Sequence, residues 1–402
     1  MSKDTNVPRI RFKGFTNAWE QQKFKEILKE FSIRSKIENE YPVLSSTNSG
    51  MEIRNGRVSS ESNIGYKIVK NGNLVFSPQN LWLGNINVNY IGTGLVSPSY
   101  KTLNFKKVNP QFIIPQLKTS KMLEKYKNAS TQGASVVRRN LDTTAFYQIT
   151  IRVPNIAEQS KIGNFFNKVN SILTLQERKL ELYKQLKKYL LQKMFANEQE
   201  KVPQIRFKGF DEDWEKDKLS QLTDRIKRKN NELTSNTPLT ISAKYGLIKQ
   251  TLFFNKEVAS KNLRNYILLK KGEFAYNKSY STDFPFGAIK RLDKYNYGAL
   301  STLYIAFKTR TVDSDYLVCY FDSNKWHKEI YQIATEGARN HGLLNISPVD
   351  FFNSKLVIPK NVSEQFKIGK LIIKIDNYLK WNYQIQENYS KLKQYLLQNL
   401  FC

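Results

Sequence analysis

One stretch of nine residues occurs twice in this chain. Residues 7–15 read VPRIRFKGF and residues 202–210 read VPQIRFKGF, 195 positions apart with one difference. Trp19 and Glu20 recur as Trp214 and Glu215. An internal repeat constrains the architecture more than any local propensity, because each copy must fold in its own right. Further blocks follow in the same order in both halves: PVLSSTNSG (42–50) with PLTISAKYG (238–246), STQGA (130–134) with ATEGA (334–338), NIAEQSKIG (155–163) with NVSEQFKIG (361–369), and ELYKQLKKYLLQKMF (181–195) with ENYSKLKQYLLQNLF (387–401). The pattern is a tandem duplication, A-B-A′-B′.

The B segments read as long helices. Each opens on Asn with Glu three residues on, Asn155/Glu158 and Asn361/Glu364, which predicts a capping-box start. Alternating steps of four and three run through Ile162, Phe166, Val169, Leu173, Gln176, Leu180, Tyr183, Lys187, Leu190 and Met194. The second series is Ile368, Ile372, Ile375, Leu379, Asn382, Gln386, Tyr389, Lys393, Leu396 and Leu400. Most of these are apolar, as an a/d seam requires. The polar breaks match between copies, Gln176 with Asn382 and Lys187 with Lys393. A helix of about 35 residues is roughly 50 Å long, and each seam needs a partner. The other helix is the nearest one. The helical lysines, Lys187 among them, read mostly as solubilising.

The A segments hold short strand-like runs punctuated by Gly and Pro. Residues 71–100 carry no charge and read as a buried sheet, and ITIRVP (149–154) and KLVIPK (355–360) read as strands leading into the helices. Trp19 and Trp214 read as core residues. The expected class is α+β: two mixed α/β domains separated by two long helices that form an antiparallel coiled coil, a pseudo-twofold tandem repeat. The boundaries are 1–154 and 201–360 for the domains, 155–200 and 361–402 for the helices.

With 64 basic and 35 acidic residues the chain carries a formal charge of +29. Both halves contribute, +17 from residues 1–201 and +12 from 202–402. A field of this sign attracts polyanions, nucleic acid first. The cysteines, Cys319 and Cys402, make no disulfide framework, and no secretory leader or membrane-length apolar run is visible. The expectation is a soluble, cytoplasmic protein.

Catalytic patterns are missing from the sequence. It has no phosphate-loop signature. Its histidines, His327 and His341, have no cysteine or carboxylate at ligand spacing, so neither a metal site nor a nucleophile triad is expected. SPSY (97–100) lacks the leading Asn/Asp and the second Pro of an amino-methyltransferase loop. What remains are loop clusters of Arg, Lys, Asn, Gln, Ser and Tyr, the types that contact phosphates and base edges. The candidates in the first domain are Arg34, Ser46, Asn48, Arg54, Arg57, Gln79, Asn80, Arg138 and Arg139. In the second they are Ser242, Lys244, Tyr245, Asn277, Lys278, Tyr280, Arg339, Asn340 and His341. Several occupy matched repeat positions with different side chains, which would read different bases.

This layout resembles a type I restriction–modification specificity (S) subunit. The doubled VPxIRFKGF…WE opening, the two N-x-x-E-Q-x-K-I-G helix starts and the two LKxYLLQ helix ends carry the resemblance over nearly the whole chain. It implies a non-catalytic DNA-binding subunit. Each globular part would be a target recognition domain reading half of a bipartite site. The two helices would set the spacer and dock two methyltransferase subunits. S-adenosylmethionine and ATP would belong to those subunits and to a restriction/translocase subunit, with no cofactor on this chain. The alternatives are a solitary DNA methyltransferase or nuclease with degenerate motifs, and a coiled-coil scaffold with no nucleic-acid role.

Overall fold

The computed structural model describes residues 7–54, 62–133, 138–197, 199–242, 245–255, 262–282, 284–334 and 344–401. The chain divides into two compact units, residues 1–177 with 384–402, and residues 178–383.

In unit 1 the strands are β1 (Glu20–Lys23), β2 (Leu28–Glu30), β3 (Leu44–Ser46), β4 (Met51–Ile53), β5 (Lys67–Val69), β6 (Leu74–Phe76), β7 (Ile86–Val88), β8 (Gly94–Val96), β9 (Lys101–Phe105), β10 (Ser130–Gln132), β11 (Arg139–Leu141) and β12 (Thr150–Val153). The helices are α1 (Phe24–Ile27), α2 (Pro110–Leu117), α3 (Ser120–Asn128), α4 (Thr143–Gln148) and the first part of α5 (Ile156–Lys193). A four-stranded sheet runs β2-β9-β6-β7, and β1 pairs antiparallel with β12, setting Glu20 opposite Val153. Strand β6 explains why its sequence is apolar at every position. Leu74 and Phe76 point into the main core, with Trp19, Phe24, Phe112, Tyr126, Phe146 and Phe166, whereas Val75 enters a second cluster with Leu44, Val69 and Val96. A strand buried on both faces loses the polar alternation of a half-exposed one.

Unit 2 contains β13 (Glu215–Lys218), β14 (Thr223–Arg225), β15 (Pro238–Ser242), β16 (Gly246–Lys249), β17 (Ile267–Lys270), β18 (Phe274–Asn277), β19 (Ala288–Arg291), β20 (Tyr297–Leu300), β21 (Ile305–Thr309) and β22 (Lys355–Ile358). Its helices are α6 (Leu219–Leu222), α7 (Gln250–Phe254), α8 (Ser314–Asp322), α9 (His327–Ile333), α10 (Pro348–Asn353) and the first part of α11 (Val362–Asn399). The sheet order β14-β21-β18-β19 matches that of unit 1 strand for strand, and β13 pairs antiparallel with β22 as β1 does with β12. Here too the central strand serves two clusters: Phe274 and Tyr276 enter one core, Ala275 the other.

Each 38-residue helix is shared between the units. In unit 1, Ile162, Phe166 and Val169 of α5 are buried and Leu173 is half-buried. Tyr389 and Leu396 of α11 are half-buried, and Leu400 just beyond it is buried. Phe166 stacks on Phe401 with ring centroids 5.5 Å apart. In unit 2, Leu180 packs with Ile375 and Leu379, and Tyr183 lies 4.4 Å from Tyr378, ring to ring. Lys187 reaches Asp376, and Leu190 shares a cluster with Leu371, so rising numbers on α5 meet falling numbers on α11. Ile368 and Ile372 are buried in the core of unit 2.

Candidate nucleic-acid interface

The repeated nonapeptide has a definite task in each unit. Arg11 donates from Nε and an Nη atom to both oxygens of Glu158, each at 2.7 Å. Arg206 does the same to Glu364 at 2.7 and 2.9 Å. Both carboxylates are buried. The fork geometry of guanidinium matches a carboxylate in two parallel bonds. The adjacent glutamines act alike: Gln159 Oε1 accepts from the Asn109 N–H at the start of α2, and Gln365 Oε1 accepts from the Asp313 N–H at the start of α8, each at 2.8 Å. The glycines of the same motif let these short helices cross closely. A Cβ on Gly163 would lie 2.8 Å from Gln111, and one on Gly369 would lie 2.5 Å from the Tyr316 nitrogen. Lys161 and Lys367 cover the rings of Phe12 and Phe210 at 5.5 and 4.7 Å.

The capping-box expectation is corrected in part. Asn155 does cap α5, its Oδ1 accepting from the Glu158 N–H at 2.9 Å. The Glu158 side chain turns instead to Arg11, because a buried carboxylate gains more from a cation than from one peptide N–H. Lys187 is likewise no solvated helical lysine. Its ammonium lies 3.0 Å from Asp322 and 2.7 Å from Asp376, and Lys290 lies 2.7 Å from the other oxygen of Asp322. Burial opposes the charge of Lys187, but the two aspartates raise its pKa overall. Burial likewise opposes the charge of Asp322, and Lys290 and Lys187 override it to lower its pKa.

On this frame sit the loops. In unit 1, Arg34, Asn48, Gln79 and Arg138 are exposed and Arg54 is half-buried. Ser46 is buried, donating to Asn85 Oδ1 at 2.6 Å and accepting from Asn87 at 2.8 Å. Its matched residue Ser242 is buried too, accepting from the Tyr245 N–H. Both serines are thus buried and bonded at the ends of their strands. Arg139 is drawn back onto Ser130, bonding its hydroxyl at 2.9 Å and its carbonyl at 2.8 Å, and so holds the β10–β11 hairpin. Asn80 is half-buried at the start of the 3-10 turn Leu81–Leu83, its Oδ1 enclosed without a hydrogen-bond partner. In unit 2, Tyr245 is exposed, and Asn277 and Tyr280 are half-buried. Lys278 donates to the Ile346 carbonyl at 3.2 Å. Arg57, Lys244, Arg339, Asn340 and His341 lie outside the described residues.

The helices also present apolar side chains to solvent. In unit 1 these include Ile172, Leu175, Leu392 and Tyr395; in unit 2 they include Leu182, Leu186, Tyr189, Trp381 and Tyr383. Among the described residues no cluster of His, Cys, Asp and Glu suits a metal ion, and no helix is long and apolar enough to cross a membrane.

The fold of the chain is similar to that of a solved type I restriction–modification S subunit. The S subunit of the type I restriction–modification system from M. genitalium superposes with a TM-score of 0.60 at 14% identity, covering 98% of this chain and 99% of that one. The HsdS subunit from Thermoanaerobacter tengcongensis matches at a TM-score of 0.46 and 14% identity, over 95% of this chain and 96% of that one. No protein-family model and no curated protein sequence matches the chain.

Proposed function

We propose that this chain is the DNA sequence-specificity subunit of a type I restriction–modification complex. The observation that carries the reading is the contrast between frame and loops. Both units hold a β-rich domain on a helix start by the same Arg–Glu fork, glutamine bond and glycine crossing. The exposed loop residues at matched positions differ, with Gln79 in one unit and Ser279 in the other. Identical frames accept identical partners; unlike loops read unlike bases. The domains each read half of a bipartite site in double-stranded DNA. The two helices form an antiparallel coiled coil that sets the spacer and gives the tandem repeat its pseudo-twofold frame. The exposed apolar residues of the helices, present in both units, suit two methyltransferase subunits, because exposed apolar clusters mark protein interfaces. Methyl transfer, with S-adenosylmethionine, and ATP-driven cleavage belong to those partners and to a restriction/translocase subunit, and the complex works in the cytoplasm.

The test is co-expression with its methyltransferase subunit in a host lacking other adenine methylation, followed by genome-wide mapping of methylated adenine. A bipartite motif with a fixed gap is expected, and it disappears when this chain is omitted. Methylation that persists without this chain would overturn the reading. So would S-adenosylmethionine binding by the purified chain alone, which would point to a solitary enzyme.

A further inference from the structure

The two units differ in charge at one matched place. The end of α8 in unit 2 superimposes in sequence register on the end of α2 in unit 1. Asp313 and Asn109 both begin their helix by donating to a glutamine of the long helix. Ten residues on in each unit a hydroxyl closes the helix end: Ser323 Oγ donates to the Tyr320 carbonyl and Thr119 Oγ1 donates to the Gln116 carbonyl. The residue just before this hydroxyl is Asp322 in unit 2 and Lys118 in unit 1. Strand pairing likewise matches Lys290 with Asn87, since Lys290 faces Ala275 and Asn87 faces Val75. The repeat of the long helices matches Lys187 with Lys393, and Asp376 with Asn170.

In unit 2 these four positions form a neutral network of two lysines and two aspartates. In unit 1 the same positions hold two lysines and two asparagines. Lys118 is exposed. Its ammonium is fixed by Asn87 Oδ1 at 2.7 Å and the Asn48 carbonyl at 3.1 Å, both neutral acceptors, which leaves one of its three N–H donors. Lys393, half-buried, makes no hydrogen bond to a described residue. Glu177 offsets part of its charge, but that carboxylate is exposed and accepts from Gln386 at 3.3 Å. Desolvation by the protein atoms around each ammonium lowers the pKa of both lysines, and the charge of Lys393 lowers that of Lys118 further.

We propose that Lys118 and Lys393 clamp a backbone phosphate of bound DNA in unit 1, at a place where unit 2 is closed by its own aspartates. The proposal rests on the DNA-specificity reading. A phosphate is favoured because Lys118 is bonded to the β3–β4 turn that carries the exposed Asn48, so an anion here lies beside a candidate base-reading loop. Phosphate contacts fix register next to base contacts.

The experiment uses the full chain and duplex DNA of mixed sequence, with affinity measured over a range of salt concentrations. Neutralising one phosphate contact removes about 0.9 from the slope of log affinity against log salt. The Lys118→Gln, Lys393→Gln double variant is therefore expected to bind with a slope shallower by about one, and the gap from wild type to close at high salt. Lys118→Asp recreates the unit 2 arrangement by pairing with Lys393. It should unfold at the same or a higher denaturant concentration than wild type while binding DNA more weakly than Lys118→Gln. An unchanged slope in a folded double variant overturns the clamp. An unchanged slope with weakened binding of the methyltransferase subunit overturns it as well, and gives the site to a partner carboxylate. If wild type itself shows no salt-dependent binding, the specificity reading fails along with the clamp.

Discussion

Arg206 and Glu364 are 158 positions apart in the chain, yet the carboxylate is almost wholly enclosed. Removing one member of a buried ion pair strands the other without solvent, at about 3–5 kcal/mol. Arg206→Ala and Arg11→Ala should each destabilise their own unit by roughly that amount, measured by denaturant unfolding. Glu364→Gln should be milder, because an amide still accepts from the guanidinium. A loss below about 1 kcal/mol for both arginine variants would show that the forks do not hold the domains. The Lys187–Asp322–Lys290 network gives a pH dependence with a definite sign. The pKa of Asp322 is lower in the folded chain than its ordinary value of 3.8, so its contribution is present above about pH 4 and is lost as pH falls through the folded value. The raised pKa of Lys187 acts at the other end: its contribution is full below about pH 10 and is lost as pH rises past the folded value. Asp322→Asn should flatten the acid limb of a plot of unfolding midpoint against pH. An acid limb as steep as that of wild type would rule out the network as its source.

At the level of elements, much could be read before the structure. The seam positions follow from spacing alone, because a helix with a 3.6-residue turn buries one stripe whatever its partner. The strands entering the helices, β12 and β22, and the buried tryptophans were equally readable. The partner of Glu158 was not, since a carboxylate three residues after an Asn looks the same whether it caps or reaches an arginine 147 residues away. Nor was the charge exchange between Lys118 and Asp322, where the two halves have lost sequence similarity and only the register of bonds aligns them. Ser46 and Ser242 look like loop residues because turn-forming types follow them, but both still belong to their strands. The helix-start glycines lie between these cases: legible as a repeat, not as a contact. Alanine in a helix interior gains about 1 kcal/mol over glycine, whereas forcing a methyl into a packed crossing costs about 1–3. With backbone only 2.5 Å from the new atom, the second effect dominates, and Gly369→Ala should destabilise the chain. A stabilised Gly369→Ala protein in thermal unfolding would mean that α8 can move away from α11.

For the molecule as a whole, the prediction with most reach concerns the gap between half-sites. If the helices act as the ruler, the spacer depends on the length of α5 and not on the loops. Two half-sites read from one side of a duplex lie about one turn apart, roughly 34–36 Å. Inserting four residues between Gln176 and Leu180 adds about 6 Å of helix, nearly two base-pair steps. Four residues are close to one turn, so the seam downstream stays nearly in phase. The insertion falls at the division between the units, after Glu177, and so leaves the forks, glutamine bonds and glycine crossings of both units intact. Both half-site sequences should therefore persist while the spacer grows by one or two base pairs. Exchanging residues 211–355 for the equivalent domain of a relative should do the reverse, changing one half-site and leaving the spacer alone. Methylation sequencing of cells expressing each variant with the methyltransferase subunit reads both outcomes at once. A fully active insertion variant with the original spacer would remove the helices as the ruler. An exchange that altered both half-sites would show that reading is not divided between the domains.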